Sequence, residues 1–175
     1  MGKQIIKLFP YSAEFPKWFI REKNKIKAAL DGFSRFRIDH VGSTSVPGLG
    51  GKGIIDMLVS IPDWNNRQQY VKALRKIGFG HIHPDDKHRI FMSRVKRTKR
   101  GDVHLHLVKA GTREMRRHFV FRDFLRRNKK YRDEYWQHKL WSLKQTGGVR
   151  DKFGKVKRVL VEKIEARAYK KLKVR

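Results

Sequence analysis

The residues best suited to chemistry gather between His40 and Val59. A strand-like start leads into Gly42-Ser43, a glycine-rich loop follows, and Asp56 stands inside a second apolar run, Ile54 to Ile61. Gly42 lets the backbone approach a ligand without a Cβ in the way. Ser43, Thr44 and Ser45 offer hydroxyls, and successive backbone N–H groups in such a turn form an anion-binding concavity. Lys52 adds a point charge for a phosphate. Asp56 is a hard oxygen ligand of the kind magnesium takes beside substrate phosphates, and it is the catalytic candidate. Together these residues suit holding a polyphosphate beside a metal ion. The same spacing also suits a tight loop joining two core strands.

Further along, His104 and His106 stand two apart on a predicted strand and therefore share a face. If the sheet brings that face toward Asp56, two imidazoles and a carboxylate suit Zn, Mn or Fe(II) better than Mg. The pair equally suits hydrogen-bonded histidines lining a polar pocket. Arg89 can grip a phosphate with two parallel hydrogen bonds. Arg94, Lys96, Arg97, Lys99 and Arg100 make a basic turn suited to sequence-independent contact with RNA or DNA backbones. Tyr131, Tyr135, Trp136 and Trp141 can stack on bases, although their spacing is that of a helix core.

These groups need a frame. Ser12 to Leu30 predicts an amphipathic helix with Phe15, Trp18, Phe19, Ile26 and Leu30 at helical spacing. Strands are expected at Phe36–Val41 and Ile54–Ile61, the latter apolar enough to be buried on both faces. A helix is expected from Pro62-Asp63 to Ile77, with Gly78 as its stop. Short strands follow at Phe79–His83, Arg89–Val95 and Val103–Val108. The rest reads as helices over Thr112–Asn128, Tyr131–Lys144 and Val149–Tyr169. Residues 1–11 form an N-terminal arm and residues 170–175 a basic tail expected to fray. The order predicts an α+β, α/β-like domain: one mixed β-sheet flanked by helices, with a helical C-terminal cover, over residues 1–175.

Composition narrows the classes. There are no cysteines among the 175 residues, which removes disulfides and thiolate chemistry and fits a cytoplasmic protein. No apolar run nears the roughly 18 residues of a membrane span, and the N-terminus does not read as a signal peptide. The net charge of +28, from 44 Lys+Arg against 16 Asp+Glu, draws polyanions.

The run from His40 to Leu49, with Lys52 and Ile54 to Val59, resembles the signature of the GrpB family. Arg89-Ile90-Phe91, His104-Leu105-His106 and Phe121 to Arg126 fit the same family, so the resemblance covers roughly residues 10 to 168. It implies a nucleotidyltransferase-like fold with a mixed sheet flanked by helices. In active members of that superfamily a Gly-Ser pair holds the nucleotide triphosphate, and carboxylates on the next strand hold divalent metals. GrpB proteins occur alone or fused to dephospho-CoA kinase, which implies a nucleotide- or CoA-related ligand. The expected cofactor is a divalent metal, Mg or Mn before Zn or Fe. Two departures stand out. Leu58 occupies the position of the second strand carboxylate, and Gly53 stands where the family usually has proline. Three readings follow: metal-dependent nucleotidyl or phosphoryl transfer, ligand binding without chemistry, and a basic RNA- or DNA-associated module.

Overall fold

The computed structural model describes residues 5–81, 83, 87–95 and 102–172. Helix α1 spans Glu14–Ala29, one turn inside a short lead in which the Ser12 hydroxyl accepts from the Glu14 N–H at 3.2 Å. Strand β1 (Arg37–Val41) runs into a single 3-10 turn at Ser43–Ser45. Strand β2 spans Ile55–Ile61. Helix α2 covers Arg67–Lys76, starting later than the Pro62-Asp63 expected from sequence. The reason is local: Asp63 accepts from the Asn65 N–H at 2.9 Å and from Asn66 Nδ2 at 2.6 Å. That side-chain turn competes with a first helical turn.

Strand β3 is only Gly80–His81; β4 spans Arg89–Arg94 and β5 spans Val103–Lys109. Helices α3 (Arg113–Arg127), α4 (Lys129–Gln145) and α5 (Arg150–Leu172) complete the chain. The last of these continues to Leu172, into the tail expected to fray. Thr112 caps α3 through its hydroxyl, which accepts from the Met115 N–H at 3.4 Å.

The five strands form one sheet in the order β1-β2-β5-β4-β3. Only β2 and β5 pair in parallel; the other pairs are antiparallel. This is the mixed α+β architecture expected. Alternation along the strands then sorts the side chains by face. Met57, Val59, Ile61, Leu105 and Leu107 pack with Phe15 and Ile26 of α1, with Leu30 just beyond its end, and with Leu74 of α2. The opposite face carries Asp56, Leu58, His104 and His106 toward the C-terminal helices. Those helices have a core of their own, built on Phe124, Leu125, Tyr135, Leu160 and Ile164, which also buries Val46 and Leu49 of the glycine-rich loop. The loop is therefore clamped between sheet and helical cover.

Candidate functional site

A cavity of about 300 Å³ lies between the sheet and the cover. Its sheet wall presents Asp56, His104 and His106, its loop wall Gly42, Ser43, Thr44 and Lys52, and its helical wall Arg117, His118, Tyr135, Lys139, Lys157 and Glu165. The parallel register places His104 directly beside Asp56, and His104 Nδ1 lies 3.3 Å from Asp56 Oδ1. Burial alone would raise the Asp56 pKa. The adjacent His104, then His106 and Lys52, outweigh it and hold the carboxyl well below the usual range. Asp56 is an anion facing the cavity.

Gly42 sits at φ 69°, closed to most side chains. A Cβ there would stand 2.2 Å from Asp56 Oδ2. The glycine thus makes room for the carboxylate. The 3-10 turn that follows divides its three hydroxyls. Ser45 Oγ donates to the Gly42 carbonyl at 2.6 Å, and Thr44 Oγ1 donates to the Ile54 carbonyl at 3.0 Å. His40 Nε2 lies 3.0 Å from Thr44 Oγ1, whose proton is already committed, so His40 must be the donor there. Arg126 reinforces the turn from α3 through two hydrogen bonds to the Ser45 carbonyl, at 2.7 and 3.0 Å. Thr44 and Ser45 therefore shape the loop, while Ser43 faces the cavity.

Ser43 Oγ is met at 2.7 Å by Lys139 Nζ from α4. Lys139 also donates to the Gly50 carbonyl at 2.7 Å and lies 4.5 Å from the Tyr135 ring centroid. Among the described residues no carboxylate reaches ion-pair distance of it, and only 3% of the residue is exposed. Burial, with Lys157 and Lys52 adding repulsion and Asp56 opposing them, holds its pKa well below the ordinary lysine value. Burial first, then Lys157, also pushes Lys52 down to about 8.

His106 lines the cavity beside His118 of α3, their rings 4.6 Å apart. Burial, then the neighbouring His118, pushes the His106 pKa down to about 3.

Other expected contacts fall elsewhere. Arg89 does not line this cavity; it pairs with Glu114 at 3.3 Å. Arg94 is not part of a solvated turn. It closes β4 opposite Val103, forms an ion pair with buried Glu22, donates to the Ile77 carbonyl at 3.0 Å, and stacks over Phe79 at 4.8 Å. The nucleic-acid role expected of Arg94 is corrected on that ground. Lys96, Arg97, Lys99 and Arg100 lie outside the described residues. Tyr131, Tyr135 and Trp136 join the helical core, whereas Trp141 is half exposed. Lys139, His118 and Lys157 escaped the sequence reading; each is one basic residue among many on a helix.

The family model for GrpB protein matches residues 5–167. The chain belongs to the GrpB family. The GrpB crystal structure from Enterococcus faecalis superimposes with a TM-score of 0.84 at 26% identity, covering 95% of this chain and 99% of that one. A UPF0157 protein of Halalkalibacterium halodurans is 40% identical over 133 residues, 74% of this chain and 65% of that protein. Another from Streptomyces coelicolor is 33% identical over 121 residues, 69% of this chain and 61% of that protein. The matched stretch is thus less than two thirds of either relative. Cid1 in complex with its short product ApU aligns at a TM-score of 0.55 and 12% identity, over 76% of this chain and 42% of that one. The GLD-2/RNP-8 complex aligns at 0.58 and 12%, over 87% and 58%. The fold of this GrpB protein is nucleotidyltransferase-like.

The fold implies divalent metals held by paired carboxylates on the strand after the loop. Leu58, two along from Asp56, is fully buried in a cluster with Val41, Val108, Met115 and Phe119. Among the described residues, no three His, Asp or Glu side chains form a ready metal set. A two-metal carboxylate centre does not fit this strand.

Proposed function

We propose that the cavity binds a phosphate-bearing small molecule, a nucleotide or CoA-related compound, through Ser43 and Lys139. The observation that carries this reading is the buried Lys139 Nζ, pinned against Ser43 with no carboxylate partner among the described residues. Burial without a counter-ion disfavours the charged form of Lys139. A phosphate entering beside Ser43 supplies that counter-ion, and Lys52 and Lys157 add further positive charge. The Cid1 poly(U) polymerase, a structural neighbour, has been seen bound to MgATP. Nucleotidyl or phosphoryl transfer by two metals does not suit a strand with one carboxylate, so the reading is ligand binding, with Asp56 and His104 orienting the bound molecule.

The test is a thermal-shift panel of ATP, CTP, GTP, CoA and dephospho-CoA, with and without Mg or Mn. A ligand at a hundred times its Kd stabilises the native state by about 2.7 kcal/mol. At least one compound should raise the melting temperature, and Lys139→Met should abolish that rise. No shift in the native protein, or an equal shift in the variant, refutes the reading. A second reading, polyanion association, is favoured by the +28 charge alone.

A further inference from the structure

Two oxygens hold the Lys139 amine. Nζ donates to Ser43 Oγ and to the Gly50 carbonyl, each at 2.7 Å, and among the described residues no third oxygen accepts from it. An ammonium carries three donor hydrogens, whereas an uncharged amine carries two and a lone pair. The wall therefore satisfies the amine in full and leaves the ammonium with one hydrogen to place. At 3% exposure that hydrogen is buried, and a buried donor without an acceptor is disfavoured.

The charges around Nζ act in the same direction. Lys157 of α5 and Lys52 of the loop repel a cation there, and Asp56 of β2 opposes them. Asp56 is itself met by His104 of β5 at 3.3 Å. Further round the wall, Arg117 of α3 and Glu165 of α5 pair with each other at 3.4 Å. On α4 the Tyr135 and Trp136 rings lie 4.5 and 5.9 Å from Nζ, and their faces favour a cation. Burial is the largest influence, and it holds the Lys139 pKa well below the ordinary lysine value.

We propose that Lys139 is an uncharged amine in the free protein, and that a phosphate-bearing ligand enters this cavity together with a proton taken up by Nζ. This rests on the phosphate reading of the same site and adds a second species, the proton, that binds with the ligand. The third hydrogen of the ammonium then has a phosphate oxygen to meet, while Ser43 and Gly50 keep theirs. A bound anion raises the pKa that burial lowers, so the proton is taken up at pH values between the free midpoint and the bound one. Inside that window affinity tightens as pH falls, by up to about tenfold per pH unit for one proton. Below the window Lys139 is already charged, and above it the complex no longer holds the proton.

The experiment is nuclear magnetic resonance of the full chain carrying ¹³C at its lysine ε-carbons, titrated with pH. The signal missing from Lys139→Met belongs to Lys139; circular dichroism verifies the fold, and Lys139→Gln serves if Lys139→Met does not fold. In the free protein that signal should titrate well below the ordinary value of about 10.4. Each compound of the thermal-shift panel is then added in turn, above the phosphate pKa of about 6 so that its own titration does not interfere. A compound that binds should raise the Lys139 midpoint, and its Kd should weaken with rising pH between the two midpoints. A free Lys139 that titrates near 10.4 overturns the proposal and leaves the phosphate reading standing. So does a bound compound that leaves the Lys139 midpoint where it was, including one that moves Lys52 instead. If no compound of the panel binds, the phosphate reading fails and the proton coupling fails with it.

Discussion

A Cβ at residue 42 would collide with Asp56, so that glycine serves the carboxylate before it serves any ligand. Gly42→Ala should cost at least about 1 kcal/mol in urea unfolding, since alanine is strained at positive φ. It should also displace Asp56, which makes it a poor isolated probe of phosphate contact. Lys139 gives a cleaner contrast. Lys139→Met removes a buried amine that has no counter-ion in the free protein, which offsets the donor lost by the Gly50 carbonyl, so the unliganded variant should melt close to the native chain. His40 supplies a pH dependence. Its ring stacks on Phe19 at 4.7 Å, and burial pushes its pKa down to about 4. The unfolded imidazole binds its proton near 6.5 while the folded one does not. Stability is therefore full above pH 6.5 and falls toward pH 4, by up to about 1.4 kcal/mol per pH unit from this group. His40→Gln should flatten that acid limb in denaturation curves taken across the window. Gly42, Ser43 and Asp56 were legible in the sequence because a glycine-hydroxyl turn between apolar runs is a local pattern. Lys139 was not, because only packing from a distant helix distinguishes it from the other 43 basic residues.

Arg94 shows how an element boundary changes a residue's meaning. From sequence it opens a basic turn, but the β4–β5 ladder carries on to Arg94 opposite Val103. One more residue of strand turns a solvated cation into the partner of Glu22, which is 4% exposed on α1. Glu22→Gln should cost about 3 kcal/mol, because removing one member leaves the other charge poorly compensated. Chemical denaturation measures this, and a cost near zero would mean the pair is no more than a surface contact. The strand alternation that puts His104 and His106 on one face was legible, since period two is written into the chain. Their partners were not. His104 meets Asp56 through a parallel pairing, and His106 meets His118 through the docking of α3, and neither long-range contact leaves a local trace. The start of α2 was not legible, because the side-chain bonds of Asp63 outweigh a helix-like apolar spacing.

At the scale of the whole molecule, the +28 charge predicts salt-sensitive association with nucleic acid. Fluorescence anisotropy with a mixed-sequence oligonucleotide should give a log affinity that falls linearly with log salt. Absence of binding at low salt would leave the charge as a property of the solvated surface. The overall architecture was legible because several family-like segments occur in order, each on its own element. The clamping of the glycine-rich loop under α3, α4 and α5 was not, because it depends on Val46 and Leu49 finding a helical core formed by later residues. The central strand pair carries a consequence for assembly. β2 and β5 touch along their length, yet the chain between them must first travel through α2, β3 and β4. Closing so long a loop costs entropy before any contact returns it, and such pairings slow folding. A nascent chain that has made only local structure holds the Gly42-Ser43 turn but not the Asp56–His104 contact. The proposed site is therefore complete only once the middle of the sheet has closed, and a chain without that closure offers no pocket for a ligand to stabilise.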